Sequence, residues 1–223
     1  MTHALSHKGR LQPAHVRHFP DDSLAHAVAR QICTASCLPA KEFHESWAVA
    51  RKVLRRHRGG PVLDLAGGHG LVGFLMLLQD RTTPSAVLVD RVVPKSAHRL
   101  HAALSERWPK VTARWALLQA DLHDVDVASD HRLLGIHACG ALTDQVLDHA
   151  LAARCRVAVL PCCHSKAKLD AGGLTGWLPH DVAVDATRAQ RLRHADYEVH
   201  TTTIDAAITP KNRLLLGTPI PQK

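Results

Sequence analysis

Short apolar runs and longer amphipathic segments alternate along most of this chain. Runs at 62–65, 85–90, 115–120, 133–136 and 155–160 are four to six residues long and rich in Val, Leu and Ala. That is the pattern of strands buried on both faces of a parallel sheet. Between and around them, apolar residues recur at three- and four-residue spacing, which predicts helices at 71–78, 95–107 and 142–153. Two further helices precede the first strand. Asp21-Asp22-Ser23 can cap one that runs to about Ser36. Pro39 opens the second, over 40–57, with Phe43, Trp47, Ala50 and Leu54 on one face, and Gly59-Gly60 ends it. Near the C-terminus, 181–195 is predicted helical, 197–204 alternates as a β-branched strand, and 212–217 is the last strand. Residues 1–20 are polar, His-rich and broken by Pro13 and Pro20, an irregular arm. Strands alternating with helices predict an α/β fold, and no internal repeat or low-complexity segment interrupts them.

The first strand runs directly into Ala66-Gly67-Gly68-His69-Gly70 and then into a helix. Strand, glycine turn and helix form the opening unit of a nucleotide-binding fold. The glycines let backbone approach a ligand, and the new helix offers it free N–H groups. Gly68-His69-Gly70-Leu71-Val72-Gly73 also matches the dinucleotide spacing, and no Gly-Lys-Ser/Thr follows to make a phosphate loop. Asp90 ends the second strand, 20 residues past Gly70, where an acid accepts hydrogen bonds from a ribose diol. Asp121 follows the third strand, with Asp124 and Asp126 as close competitors.

The chain has 223 residues, enough for one α/β domain and a small appendage. Residues 1–58 are read as an arm and helical cap, and 59–223 as the domain itself. Hydrophobic residues make up 46% but aromatics only 4%, so aliphatic side chains fill the core. The net charge of +8 and pI near 9.5 point to an anionic partner, RNA first. The basic end of the second helix, Arg51 to Arg58, suits either an RNA contact or the helix dipole. Six cysteines without a secretory leader pattern are expected to be reduced thiols, which makes the cytoplasm the expected compartment. No apolar run approaches a membrane span, so no membrane association is expected.

Two strand ends carry further chemistry. The fourth strand runs into His137-Ala138-Cys139-Gly140 and the fifth into Pro161-Cys162-Cys163-His164. In a doubly wound sheet these ends are neighbours on the ligand side. Residues two apart in extended chain point the same way, which pairs His137 with Cys139 and Cys162 with His164.

Asp64-Leu65-Ala66-Gly67-Gly68-His69-Gly70 resembles the first motif of class I S-adenosylmethionine (SAM) methyltransferases, with Ala66 in place of a glycine. Together with Val-Asp-Arg, His-Ala-Cys-Gly-Ala-Leu-Thr-Asp, Pro-Cys-Cys-His and Thr-Pro-Lys-Asn-Arg, it resembles one subgroup of that family. The subgroup holds bacterial proteins of uncharacterised substrate and is similar to the eukaryotic tRNA acceptor-stem ribose 2′-O-methyltransferase, whose zinc-finger segments are not found here. The resemblance implies a Rossmann-like seven-stranded fold whose last two strands form an antiparallel edge hairpin. It implies SAM as methyl donor, held by Asp64, Ala66, Gly67, Gly68, Gly70, Asp90, Arg91, Asp121 and His137. It places 205–211 on the ligand side, with Thr209, Lys211, Asn212 and Arg213 as substrate contacts.

The Cys/His cluster has four readings. The cysteines are small buried hydrophobes; or they shape the methyl-transfer pocket, with His137 or His164 as base or positioning group; or His137, Cys139, Cys162 and His164 ligate zinc; or Cys139 or Cys162 is a nucleophile, as in some RNA pyrimidine methyltransferases. The expectation adopted takes His137, Cys139, Cys162 and His164 as the catalytic group and assigns no metal. The expected function is methyl transfer from SAM to RNA, tRNA foremost. Protein or small-molecule methylation, and a non-catalytic nucleic-acid-binding module, are the alternatives; an NAD-dependent oxidoreductase lacks a hydride-transfer constellation.

Overall fold

A computed structural model of the protein describes residues 5–164 and 169–222. Two helices, α1 (Leu24–Ala35) and α2 (Ala40–Leu54), precede the sheet. There follow β1 (Val62–Leu65), α3 (Leu71–Gln79), β2 (Ala86–Asp90), α4 (Lys95–Arg107), the single turn α5 (Pro109–Thr112) and β3 (Trp115–Gln119). The second half contains β4 (Arg132–Gly135), α6 (Ala141–Ala153), β5 (Arg156–Val159), α7 (His180–His194), β6 (Tyr197–Thr203) and β7 (Arg213–Pro219). The seven strands form one sheet in the order β3-β2-β1-β4-β5-β7-β6. Only β7 runs against its neighbours β5 and β6, so the sheet is the α/β, Rossmann-like arrangement expected. The order reverses between β1 and β4, which puts the switch point beside the glycine turn.

The two-residue period of the strands divides their side chains between two layers. Val62, Leu134, Ala158, Leu214 and Leu216 face a core shared with α1 to α4. Leu63, Leu133, Val157, Val159 and Leu215 face the other, closed by α6 and α7. Helix α3 is apolar all round and buried from Leu71 to Leu77. Such a helix needs cover on its far side, and α2 packs there. The N-terminal helical extension is thereby fused to the core.

The arm at 1–20 departs from the expected irregular segment within its described part. It holds a 3-10 turn at Pro13–His18 and a bridge between Arg10 and Pro39. Leu11 and Phe19 are buried against α1 and α2, and these two apolar residues anchor what its polar composition suggested was loose. Helix α2 also stops at Leu54, not at 57. His57 turns inward, 1% exposed, and its Nε2 lies 3.0 Å from Thr218 Oγ1. Beneath the N-terminal edge of the sheet, Arg132 is wholly buried and donates to the carbonyls of His57 (2.8 Å) and Gly60 (2.9 Å) and to Thr83 Oγ1 (2.6 Å). Asp80 lies 3.7 Å from it.

Candidate active site

The glycine turn owes its shape to an acid beneath it. Asp64 is buried in β1, and its Oδ2 accepts the N–H of Gly73 at 3.4 Å. Its Oδ1 is buried with no partner. A side chain at Gly67 would stand 2.5 Å from this carboxylate, so the turn packs directly on it. Burial pushes the Asp64 carboxyl up to about 7, with the charge of Asp90 adding to the effect and the Gly73 hydrogen bond opposing it. Asp64 therefore supports the turn from below. Above it, Ala66, Gly68 and Gly70 all have positive φ (51°, 59° and 70°), so the chain coils through three left-handed positions before α3 begins. Ala66 adopts the conformation that a glycine holds more cheaply.

The turn opens upward and sideways. Nothing lies closer to a Cβ built on Gly68 than the ring of His137, at 3.8 Å, and no side chain caps the first turn of α3. The strand ends on either side supply the rest. Ala66 N–H bonds to Val89 O at 2.8 Å and Ala120 N–H to Asp90 O at 3.1 Å, which sets Ala66, Asp90 and Asp121 along the carboxyl edges of β1, β2 and β3. Asp90 Oδ1 accepts the N–H of Val92 at 3.3 Å. Asp121 Oδ1 accepts the N–H of His123 at 3.1 Å, and Arg91 is exposed beside Asp90. A side-chain-free cradle at a helix N-terminus, with acids on two neighbouring strand ends, fits an adenosine ligand carrying a diol and a cation.

On the other side of His137 lies a cavity of about 490 Å³. His137, Cys162 and the late residues Thr209 and Lys211, which the sequence analysis singled out, line it together. Lys8, Lys41, Glu42 and Glu45 line it too, and these the sequence reading missed. The one local signal was Lys41 and Glu45 four apart on α2, which pair at 2.6 Å; nothing local placed that helix over the end of β4. Burial lowers the His137 pKa, with Lys41 adding to the effect and Glu45 opposing it. His69 Nδ1 stands 3.3 Å from Glu42 Oε2. Burial first, then His137 and Arg10, pushes His69 down to about 4, while burial raises Glu42.

The expected pairing of strand-end residues is corrected. The strand ends at Val159, and the side chains over 161–164 do not follow the two-residue rule. Cys162 turns toward Cys139 and Cys163, while His164 turns away to α7, where its Nε2 meets Asp185 Oδ1 at 2.7 Å. His164 is absent from the cavity that holds His137 and Cys162. Asn212 donates to Ile204 O and Arg213 pairs with Asp181 and Asp185, so neither lines that cavity. Burial raises the thiol pKa of Cys139 and of Cys162, and neighbouring sulfurs push Cys162 further up. That is the opposite of what activates a nucleophile.

Comparison with known proteins bears on the family and the fold. The profile of a family described as "Methyltransferase domain" matches residues 41–169. The chain belongs to that family. Among curated proteins, a glutathione S-transferase C-terminal domain-containing protein of Xenopus laevis is 28% identical over 143 residues, 64% of this chain and 21% of that protein. The chain thus spans about a fifth of that relative's length. Solved structures share the fold. Mitomycin 7-O-methyltransferase MmcR superposes with a TM-score of 0.53 at 17% identity, covering 88% of this chain and 60% of its own. An O-methyltransferase family protein from Burkholderia thailandensis gives 0.52 at 17% identity, covering 96% and 64%. The glycopeptide N-methyltransferase MtfA, solved with SAM, gives 0.51 at 16% identity, covering 79% and 94%. The fold is that of these methyltransferases. Among the described residues no helix is long and apolar enough to cross a membrane.

Proposed function

We propose that the protein transfers the methyl group of SAM to RNA. The observation that carries this reading is a basic track along one face of α2. Lys41, Glu45, Ala48, Lys52 and Arg55 follow one another at three- and four-residue spacing. The first two line the cavity beside His137, and the last three, with Trp47 and Arg51, line a second cavity of about 540 Å³. At 1.5 Å per residue the track is about 20 Å long, room for several nucleotides. Lysines and arginines hold phosphates, and a tryptophan offers a stacking face. Lys211 and Lys8 add positive charge at the cavity that receives the acceptor.

In this reading the backbone of Gly67 and Gly68 and the N-terminus of α3 receive the amino-acid end of the cofactor. Asp90 accepts the ribose hydroxyls and Asp121 the adenine amine, with Arg91 bordering the site. SAM supplies an electrophilic methyl on a sulfonium. His137, between the turn and the cavity, positions the acceptor atom with Glu45 and Cys162, and alignment supplies most of the rate. Cys139 and His164 stand behind this wall rather than in it. Residues 1–58 serve as a cap that completes the acceptor cavity, and 59–223 as the methyltransferase domain.

A second reading has a specific observation in its favour. A cavity of about 490 Å³ is also the size of a small-molecule site, and MmcR is named for O-methylation of a mitomycin. Labelled SAM, offered with RNA, protein and small-molecule fractions from cells lacking the protein, decides between them. Label in RNA that falls at least tenfold in Arg51→Glu/Arg55→Glu, with SAM binding unchanged, is the expected result. Label confined to small molecules or protein overturns the RNA reading.

A further inference from the structure

Three sulfurs from two strand ends meet at one point. Cys139 Sγ lies 2.6 Å from Cys162 Sγ and 3.4 Å from Cys163 Sγ, and the last two are 3.6 Å apart. Packing does not account for the cluster. Cys33, Cys37 and Cys155 are singly buried, as hydrophobic cysteines are, but Cys139 and Cys163 are exposed. Cys162 and Cys163 are chain neighbours, which an extended backbone would aim apart; here both turn to Cys139. These are the three residues that fall within 4.8 Å of one another as a candidate ion-binding group among the described residues.

A fourth donor sits next along the chain. The His164 side chain is 3% exposed, its Nε2 is held by Asp185 Oδ1 at 2.7 Å, and its Nδ1 is buried with no partner. A metal-binding imidazole characteristically gives one ring nitrogen to a carboxylate and the other to the ion. Asp185 is itself fixed by Arg213 at 2.7 Å and Arg188 at 3.3 Å.

We propose that Cys139, Cys162 and Cys163 bind one thiophilic divalent ion, zinc in kind, with His164 Nδ1 as the fourth ligand and Asp185 orienting that ring. Tetrahedral Zn–S bonds of about 2.3 Å place sulfurs about 3.8 Å apart. Two of the three distances are already within a few tenths of an ångström of that, and Cys139 and Cys162 open by about 1.2 Å as the ion enters. His164 lies outside the 4.8 Å group, so 162–164 closes on the ion. The three thiols release their protons to solvent on binding, and the metal keeps its oxidation state. The ion ties the end of β4 to the end of β5, two residues from His137 and beside the Cys162 wall of the acceptor cavity.

The test uses the full chain, purified under reductant, stripped with chelator and titrated with Co²⁺ and then Zn²⁺. The expected result is one Co²⁺ per chain with sulfur-to-cobalt charge transfer and tetrahedral ligand-field bands, displaced by Zn²⁺. Cys139→Ser and the surface variant Cys163→Ser, with folding verified by circular dichroism, each weaken binding at least tenfold. Asp185→Asn weakens it about tenfold or more. Substoichiometric binding by folded protein, affinity unchanged in both cysteine variants, or a Cys139–Cys162 disulfide in protein that takes up no ion overturns the site. Unchanged affinity and spectrum in His164→Gln overturns the fourth ligand. None of these measurements depends on methyl transfer.

Discussion

Alanine at Gly67 puts a methyl group 2.5 Å from Asp64 Cγ and Oδ1 and 2.8 Å from Leu88 Cδ1. Asp64 and Leu88 are both buried, so neither side chain can swing into solvent. Overpacking of this kind costs about 1–3 kcal/mol. At about 2–4 °C per kcal/mol for a chain of this size, Tm falls by about 2–12 °C. Alanine at Gly68 meets nothing closer than 3.8 Å. Its cost to the fold is the left-handed backbone, φ 59°, about 1–2 kcal/mol. Its methyl group, however, stands in the gap between the turn and His137, where the proposed function places SAM. The two neighbours thus fail differently. Gly67→Ala loses about 1–3 kcal/mol of stability to overpacking, whereas Gly68→Ala loses about 1–2 kcal/mol to its backbone and in addition SAM affinity at least tenfold, about 1.4 kcal/mol. Differential scanning fluorimetry gives Tm, and calorimetric titration with SAM or S-adenosylhomocysteine gives Kd. Wild-type affinity in Gly68→Ala would refute the placement of the cofactor. Wild-type Tm in Gly67→Ala would refute the support of the turn by Asp64.

Ala66→Gly relieves a left-handed alanine and raises Tm by about 1–4 °C, since the penalty of about 1–2 kcal/mol exceeds the extra entropy of an unfolded glycine; an unchanged or lower Tm contradicts the strain. Asp64 sits at about 7 when folded against 3.8 ordinarily, so the folded chain keeps a proton that the unfolded chain has released. Its contribution is present below pH 3.8, is lost as pH rises through about 7, and is level above. Urea denaturation of Asp64→Asn lacks that slope, and a wild-type-minus-variant difference that is constant from pH 4 to 7 counts against it. Burial alone raises Asp80, but hydrogen bonds from Thr82, Gly59 and Thr83 outweigh it and hold the carboxyl at about 2. Its stabilisation is present above pH 3.8 and lost as pH falls toward 2. Asp80→Asn leaves Arg132 buried without its counter-charge and costs about 3–5 kcal/mol near neutrality; thermal melts within 2 °C of wild type would exclude that pairing.

The parts of the site that the sequence disclosed are those whose signals are local. Val62–Leu65, the glycine turn and Asp90 lie within one βαβ unit, so spacing along the chain equals spacing across two paired strands. The same holds for the strand ends at His137 and Pro161, adjacent because β4 pairs with β5. What was hidden depends on distant contacts. Lys41 and Glu45 reach the cavity beside His137 because α3 is apolar all round and needs α2 as its cover. The direction of His164 is set by Asp185, 21 residues away. The period-two rule read that segment as strand, and it is irregular because the chain must leave the sheet there.

This difference between the two halves of the site follows from what holds them. Asp185 receives His164, Arg188 and Arg213, and Arg188 also grips Asp144 and the carbonyl of Gly140. Arg213 extends the network to Asp181. One face of α7 therefore fixes the turn after β4, the segment after β5 and the start of β7 together. Among the described residues none of these ion pairs reaches Asp64, Asp90 or Asp121, whose positions come from strand pairing and a coiled turn. The glycine-turn side is a backbone device, so sequence spacing specifies it. The side holding the thiols is a side-chain network drawn from four distant elements. Substitutions on α7 should disturb that side while leaving the glycine turn intact, because among the described residues none of the ion pairs of α7 reaches that turn or its acids.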